Sequence, residues 1–280
     1  MAELGKNGKP LGGQVVKAEN TQSSIAKKQK ITIISLIAVG VLAIIAGIVV
    51  LSLYMAGKFD KTSVSDSAIK TKSAGNGYDM YYVTDKNAPG VYAVMTINDG
   101  ERDYEIEILL MKDIAPITVN NFITYAEEGF YNETAIHRIV QGTYTFQGGG
   151  YVYNEQTHGY TLKTATHDAI AGEFKNNTSG DYSYNKISHF AGSISMARSG
   201  ASSNATKAQI ESAYNSATSQ FFISWNNYQG WDGDYAAFGF IVDSEDVKAI
   251  KEIGMNADPD SSDKPSSPII VKSVTIKEIK

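Results

Sequence analysis

The residues best placed to do chemistry in this chain lie in TAIHRIVQGTYTFQGGG, residues 134–150. The stretch sets Arg138 among aliphatic residues, follows it with Tyr144, Phe146 and Gln147, and ends in three glycines. No carboxylate or nucleophile stands beside the guanidinium, which leaves it the chemistry of a cationic hydrogen-bond donor. Other chemistries are poorly represented. His137, His158, His167 and His189 show no HExxH or other ligand spacing, so they read as polar residues satisfied within the fold and no metal site is expected. A G-x-S-x-G elbow, a P-loop and a strand-linked G-x-G-x-x-G are all missing, and QGGGY reads as a tight bend, which weakens hydrolase and nucleotide-binding readings. The chain has no cysteine, which removes disulfides and thiolate catalysis.

The elements that must carry these residues fall within a chain of 280 residues, 42% hydrophobic and 20% charged, enough for one domain of moderate size plus appendages. A net charge of −5 and the lack of a Lys/Arg cluster in the C-terminal two thirds argue against nucleic acid as a partner. One segment departs from the average. Residues 31–55, ITIISLIAVGVLAIIAGIVVLSLYM, carry no charge over about 25 positions, longer than a bilayer's hydrocarbon core requires of a helix. A transmembrane helix is expected over residues 31–56. Cleaved signal peptides have shorter apolar cores, and Tyr54 stands badly for a small-x-small cleavage site. Lys27, Lys28 and Lys30 precede the span, while Lys58 and Lys61 after it are offset by Asp60 and Asp66, so residues 1–30 are expected as a cytoplasmic tail and the rest across the membrane. Residues 57–88 read as a solvated linker, in which YDMYYV has the alternation to pair onto a sheet edge.

From residue 89 the pattern is that of a folded domain. VYAVMTI and YEIEILLM alternate around NDGERD as a β-hairpin. APITVNNFITYAEEGFY has helical spacing, with Pro116 at its start and Gly129 just past its end, and DSEDVKAIKEIG reads as a second helix capped at Asp243 or Ser244. Short β-like runs fill the space between, and PIIVKSVTIKEI alternates again and should close the sheet. The expected fold is mostly β: a closed antiparallel barrel of about eight strands capped by two α-helices and preceded by one transmembrane helix.

Several blocks, taken in order, resemble the cyclophilin family of peptidyl-prolyl cis/trans isomerases: IHRIVQG…FQGG, IAGEF, GSISMAR, TSQFFIS and WDGDYAAFGFI, over about residues 90–280. The resemblance implies that Arg138 is the catalytic arginine, with Gln147, Gln220 and Phe222 in the catalytic groove. It implies substrate contacts from Ala197, Arg198, Trp231 and Tyr235, and a packed structural role for His137. No cofactor is implied. The residue types suit that reaction: twisting an X-Pro bond frees a lone pair on the prolyl nitrogen, and a fixed guanidinium binds that state better than the planar amide. Apolar and aromatic walls would hold the proline ring, and Gln147 the flanking peptide.

The chain also departs from the family pattern. GTYTFQGG has one residue more before the glutamine, which leaves open whether Tyr144, Thr145 or Phe146 faces the proline; Tyr144 is favoured as the substrate contact. Residues 199–217, including the helix-like TKAQIESAY, form an unusually long insertion beside the groove. Arg198 replaces Asn and Gly230 a frequent Trp. The sequence is therefore read as a membrane-anchored isomerase acting on X-Pro segments of unfolded proteins outside the cytoplasmic membrane, with the bilayer as a partner through residues 31–55. The competing reading is a catalytically weak module that binds Pro-containing segments. A third, an adaptor that recruits a partner through exposed rings, rests on Trp225, Tyr228 and Trp231.

Overall fold

The computed structural model describes residues 68–280; the expected membrane span and cytoplasmic tail lie outside them. Among the described residues, no helix is long and apolar enough to cross a membrane.

The strands run in chain order β1 (Ile69–Gly75), β2 (Tyr78–Val83), β3 (Gly90–Asn98), β4 (Asp103–Leu110), β5 (Thr134–Ile136), β6 (Arg138–Val140), β7 (Thr145–Gly148), β8 (Tyr151–Asn154), β9 (Gly159–Leu162), β10 (Ser193–Met196), β11 (Phe221–Ser224), β12 (Ala237–Ile241) and β13 (Ile269–Ile279). The main sheet is antiparallel, in the order β5-β13-β3-β4-β12-β10-β11-β7-β6. Its first and last members are consecutive in the chain, separated only by His137, whose N–H donates to the Gln147 carbonyl at 3.1 Å. The nine segments thus make eight staves that return on themselves, a nearly closed barrel of the kind expected.

Alternation along the staves sends Ile139, Phe146, Ile194, Met196, Phe221, Ile223 and Phe238 into one interior cluster. Helix α1 (Pro116–Glu127) adds Val119, Phe122, Tyr125 and Ala126 to it. Phe122 lies 5.8 Å from the Phe221 ring and 5.2 Å from that of Phe238. Pro116 opens this helix, and Gly129, at φ +67°, follows its end. Helix α3 (Ser244–Asn256) is capped by the Asp243 side chain, which accepts from the Glu245 N–H, and contributes Ile250 and Ile253 to the same cluster. A third helix, α2 (Lys207–Tyr214), stands in the insertion, begun by a reciprocal cap between Thr206 and Gln209.

Two features differ from expectation. Residues 69–83, within the segment read as a solvated linker, form the hairpin β1–β2. It docks on the barrel: the Asp79 N–H donates to the Lys186 carbonyl at 2.8 Å, and the Asp79 carbonyl accepts from Ser188 N–H at 2.9 Å. Ile69, Met80, Tyr81 and Val83 pack on a second apolar cluster that includes Tyr92, Leu109 and Phe240. These strands are apolar on their outer as well as their inner face, and the hairpin keeps the outer patch from water. The second difference concerns Trp225. It is only 2% exposed and packs so tightly under α3 that a Cβ on Gly254 would fall 2.7 Å from its ring, so it contributes nothing to an exposed aromatic surface.

Candidate active site

Register builds the site. Arg138 on β6 pairs with Gln147 on β7, and Gln147 pairs with Phe222 on β11, so three of the four expected catalytic residues form one rung across three strands. Residues directly opposite share a face, and since the neighbours Ile139, Phe146 and Phe221 point inward, this rung lies on the outer surface of the barrel. The fourth, Gln220, immediately precedes β11 and accepts through Oε1 from Gln147 Nε2 at 3.0 Å. A run of glycines makes room for it: a Cβ on Gly150 would lie 2.4 Å from Gln220 Cγ. Ala197 fixes the other side of that residue, donating its N–H to the Gln220 carbonyl at 2.9 Å.

The Arg138 side chain is about half exposed. Its Nη1 points toward Gln147 Oε1 at 3.5 Å, while Nε and Nη2 donate to Oδ2 of Asp263 at 3.1 and 2.9 Å. His137, the preceding residue, is half-buried with its ring 4.3 Å from that of Tyr151. Burial pushes its pKa down to about 4, and the Arg138 charge acts in the same direction.

The apolar part of the site is an aromatic stack. Phe222 is only 3% exposed, with the His189 ring stacked at 5.8 Å and the Tyr235 ring perpendicular at 5.4 Å. Tyr235 in turn meets Trp231 at 5.1 Å, and Trp231 meets Tyr228 at the same separation. The Tyr228 ring lies in front of Gly230, where a Cβ would fall 2.6 Å from it, so a larger side chain at 230 would require the Tyr228 ring to move. Arg198 sits over three rings, those of Tyr235 at 4.5 Å, Tyr214 at 4.7 Å and Phe174 at 5.3 Å. It also donates to the carbonyls of Asp234 and Ser199. Instead of standing free at the rim, it ties α2 of the insertion to Tyr235.

Tyr144 does not join this group. It takes a left-handed conformation, φ +54°, at the start of β7 and packs edge-on to Trp225, with ring centroids 6.3 Å apart. Phe146 points into the core, and by alternation Thr145 is the one of the three open candidates that shares a face with Gln147.

Beneath the stack lies a pair that motif reading passed over. His189 Nδ1 is 2.9 Å from Oδ1 of Asp232, which also accepts from the His189 backbone N–H at 2.7 Å. His189 Nε2 is buried with no partner among the described residues, and burial lowers the pKa of this ring despite the neighbouring carboxylate. The hairpin reaches the same loop: a Cβ on Gly233 would lie 2.7 Å from the Tyr78 hydroxyl, and Gln229 Nε2 donates to the Ala74 carbonyl.

Comparison with known proteins identifies the family of the domain. The family described as "Cyclophilin type peptidyl-prolyl cis-trans isomerase/CLD" matches residues 92–276. Peptidyl-prolyl cis-trans isomerase B of Escherichia coli is 32% identical over 185 residues, covering 62% of this chain and 94% of the relative. A peptidyl-prolyl cis-trans isomerase of Acinetobacter baylyi is 31% identical over 180 residues, covering 62% of this chain and 81% of that one. A cyclophilin-type isomerase of Cryptosporidium parvum, solved in the presence of the dipeptide Ala-Pro, is 22% identical with a TM-score of 0.48, covering 67% of this chain and 99% of that chain. With the family matched from β3 into β13, over most of the barrel, the chain belongs to the cyclophilin-type peptidyl-prolyl cis-trans isomerases.

Proposed function

We propose that this isomerase acts on X-Pro bonds of unfolded or partly folded proteins outside a cytoplasmic membrane, with residues 31–55 as its anchor and residues 1–30 on the inner side. The observation that carries the catalytic part is the rung Arg138–Gln147–Phe222, which sets a guanidinium, an amide and an apolar ring side by side on one face. The uncharged run at 31–55 and the lysines before it support the anchor and its orientation.

The barrier to rotation, roughly 18–20 kcal/mol, comes from lost amide resonance. As the bond twists, the prolyl nitrogen pyramidalises and becomes a hydrogen-bond acceptor. A donor already in place stabilises that state more than the planar one, which is the requirement for raising the rate. Turnover of about 1–10³ per second against uncatalysed exchange in tens of seconds needs roughly 3–6 kcal/mol, within reach of a few hydrogen bonds in a drier site. Gln147, held by Gln220, is placed to grip the peptide flanking the proline, so that rotation is confined to one side of the bond. The apolar wall is Phe222 with Tyr235 at its edge.

Arg138→Ala tests the assignment in a protease-coupled or NMR-exchange assay on the full chain. kcat/KM should fall by roughly 10²–10³, the cost of losing one charged donor that acts mainly in the transition state. Arg138→Lys should recover little, because a compact ammonium does not reproduce the planar fork. Thermal unfolding should barely move, since the residue is half exposed. A well-folded Arg138→Ala enzyme of normal activity would sink the mechanism.

A further inference from the structure

The catalytic reading leaves open what aims the arginine. Arg138 is half exposed on a long side chain, and a free guanidinium there would sample many rotamers. In the structure its Nε and Nη2 both donate to one oxygen of Asp263, 125 residues away in sequence, and only the Nη1 edge remains turned toward Gln147. We infer that Asp263 is a positioning residue for catalysis, a carboxylate that holds the Arg138 fork with its Nη1 edge facing the substrate groove.

The loop that carries Asp263 is built to hold it still. It joins α3 to β13, and its centre is a closed turn: the Asp260 side chain accepts from the N–H groups of Ser262 at 2.7 Å and Lys264 at 3.1 Å. The Asp260 N–H donates to the Lys264 carbonyl at 2.8 Å, and the Asp263 N–H to the Asp260 carbonyl at 2.9 Å. The turn is then fastened to the catalytic strand itself, because the Asp263 carbonyl accepts the N–H of Ile139 at 2.7 Å. Among the described residues, β6 is paired within the sheet only to β7, and that bond uses its other edge. Backbone and side chain of one residue therefore grip two successive residues of β6. Asp263 adopts φ +61°, a conformation that Asp and Asn tolerate better than most residues and that glycine adopts freely.

This inference rests on Arg138 being the catalytic donor, and the experiment separates the two. Asp263→Gly keeps the turn's backbone conformation and removes the carboxylate, whereas Ala would add strain at this φ. In the full chain, Asp263→Gly should lower kcat about tenfold, the penalty of a misaimed group, with KM changed less than about twofold. Asp263→Asn, which keeps an acceptor oxygen and suits the same φ, should recover most of the loss. In an Arg138→Lys background, where the fork is gone, Asp263→Gly should have almost no further effect on kcat. If Arg138→Ala and Arg138→Lys are impaired but Asp263→Gly retains its full kcat, the positioning role is wrong while the catalytic arginine stands. A faster Asp263→Gly enzyme would overturn the inference the other way, making the ion pair a brake on the arginine. An equal loss from Asp263→Gly in the wild-type and Arg138→Lys backgrounds would make Asp263 merely structural.

Discussion

His137, the residue before Arg138 in the chain, resists protonation because the fold buries its ring. An unfolded imidazole takes up its proton near pH 6.5, but His137 in the fold does so only near 4. Between those values the unfolded chain binds more protons, so stability rises with pH and is lost as pH falls through the window, by at most about 1.4 kcal/mol per pH unit from this group. Denaturant unfolding of the wild type and His137→Asn between pH 7 and 4.5 should show a shallower loss in the variant; parallel slopes would assign the effect elsewhere. His189, lowered by burial, acts in the same direction, whereas Asp99, Asp181, Asp243 and Asp260, whose carboxyls are held below their usual range, lose their contribution only at lower pH. Local pattern was informative at this scale. Alternating strands around a glycine bend place Arg138, Gln147 and Phe222 on a common face once the register is known. The same alternation points Tyr144 away, a result that the extra residue in GTYTFQGG concealed. Asp263 left no local trace, because its partner lies more than a hundred residues upstream and its turn is one of many Asp- and Ser-rich stretches.

Two elements surround the groove loops without contributing to the rung. Removing the hairpin β1–β2 should lower the melting temperature by several degrees as the cluster around Phe240 meets water. It should also speed hydrogen exchange at 185–190 and 228–235, the segments the hairpin touches. Unchanged exchange there would reduce the hairpin to an independent appendage. Its sequence reads as linker because β1, IKTKSAG, is largely exposed and polar, and the apolar face that receives β2 is assembled from distant strands. The insertion acts through Arg198. Replacing residues 199–217 by a short Gly-containing turn removes the Tyr214 ring from the cation and should free Tyr235 against Phe222, altering relative rates among X-Pro peptides while the barrel stays folded. Identical preferences in a folded deletion variant would show that the insertion has no part in selection. TKAQIESAY was read as helix-like, and the structure gives a helix over Lys207–Tyr214, but the cage it helps to form is a matter of tertiary placement.

For the whole molecule, topology across the membrane is the outstanding proposal, and protease added to intact cells decides it: the domain should be removed, and full protection would reverse the orientation. The barrel itself was legible because hairpin signals, helix caps and the last alternating run each restrict the chain locally and agree with one another. That the last run closes the sheet was legible; which two strands it joins was not. The strand that closes it, β13, lies between β3 and β5, pairing Val91 with Glu278 and Ala135 with Ile270. During synthesis β3 is complete at residue 98 and pairs with β4, yet its neighbour on the other side does not begin until residue 269. At about 5–20 residues per second, the free edge of β3 waits roughly 9–34 s and that of β5 roughly 7–27 s for a strand to pair with. Until the last strand is made, an unpaired edge stands on each side of the gap it will fill, so mispairing at β3 and β5 is the folding error this topology invites.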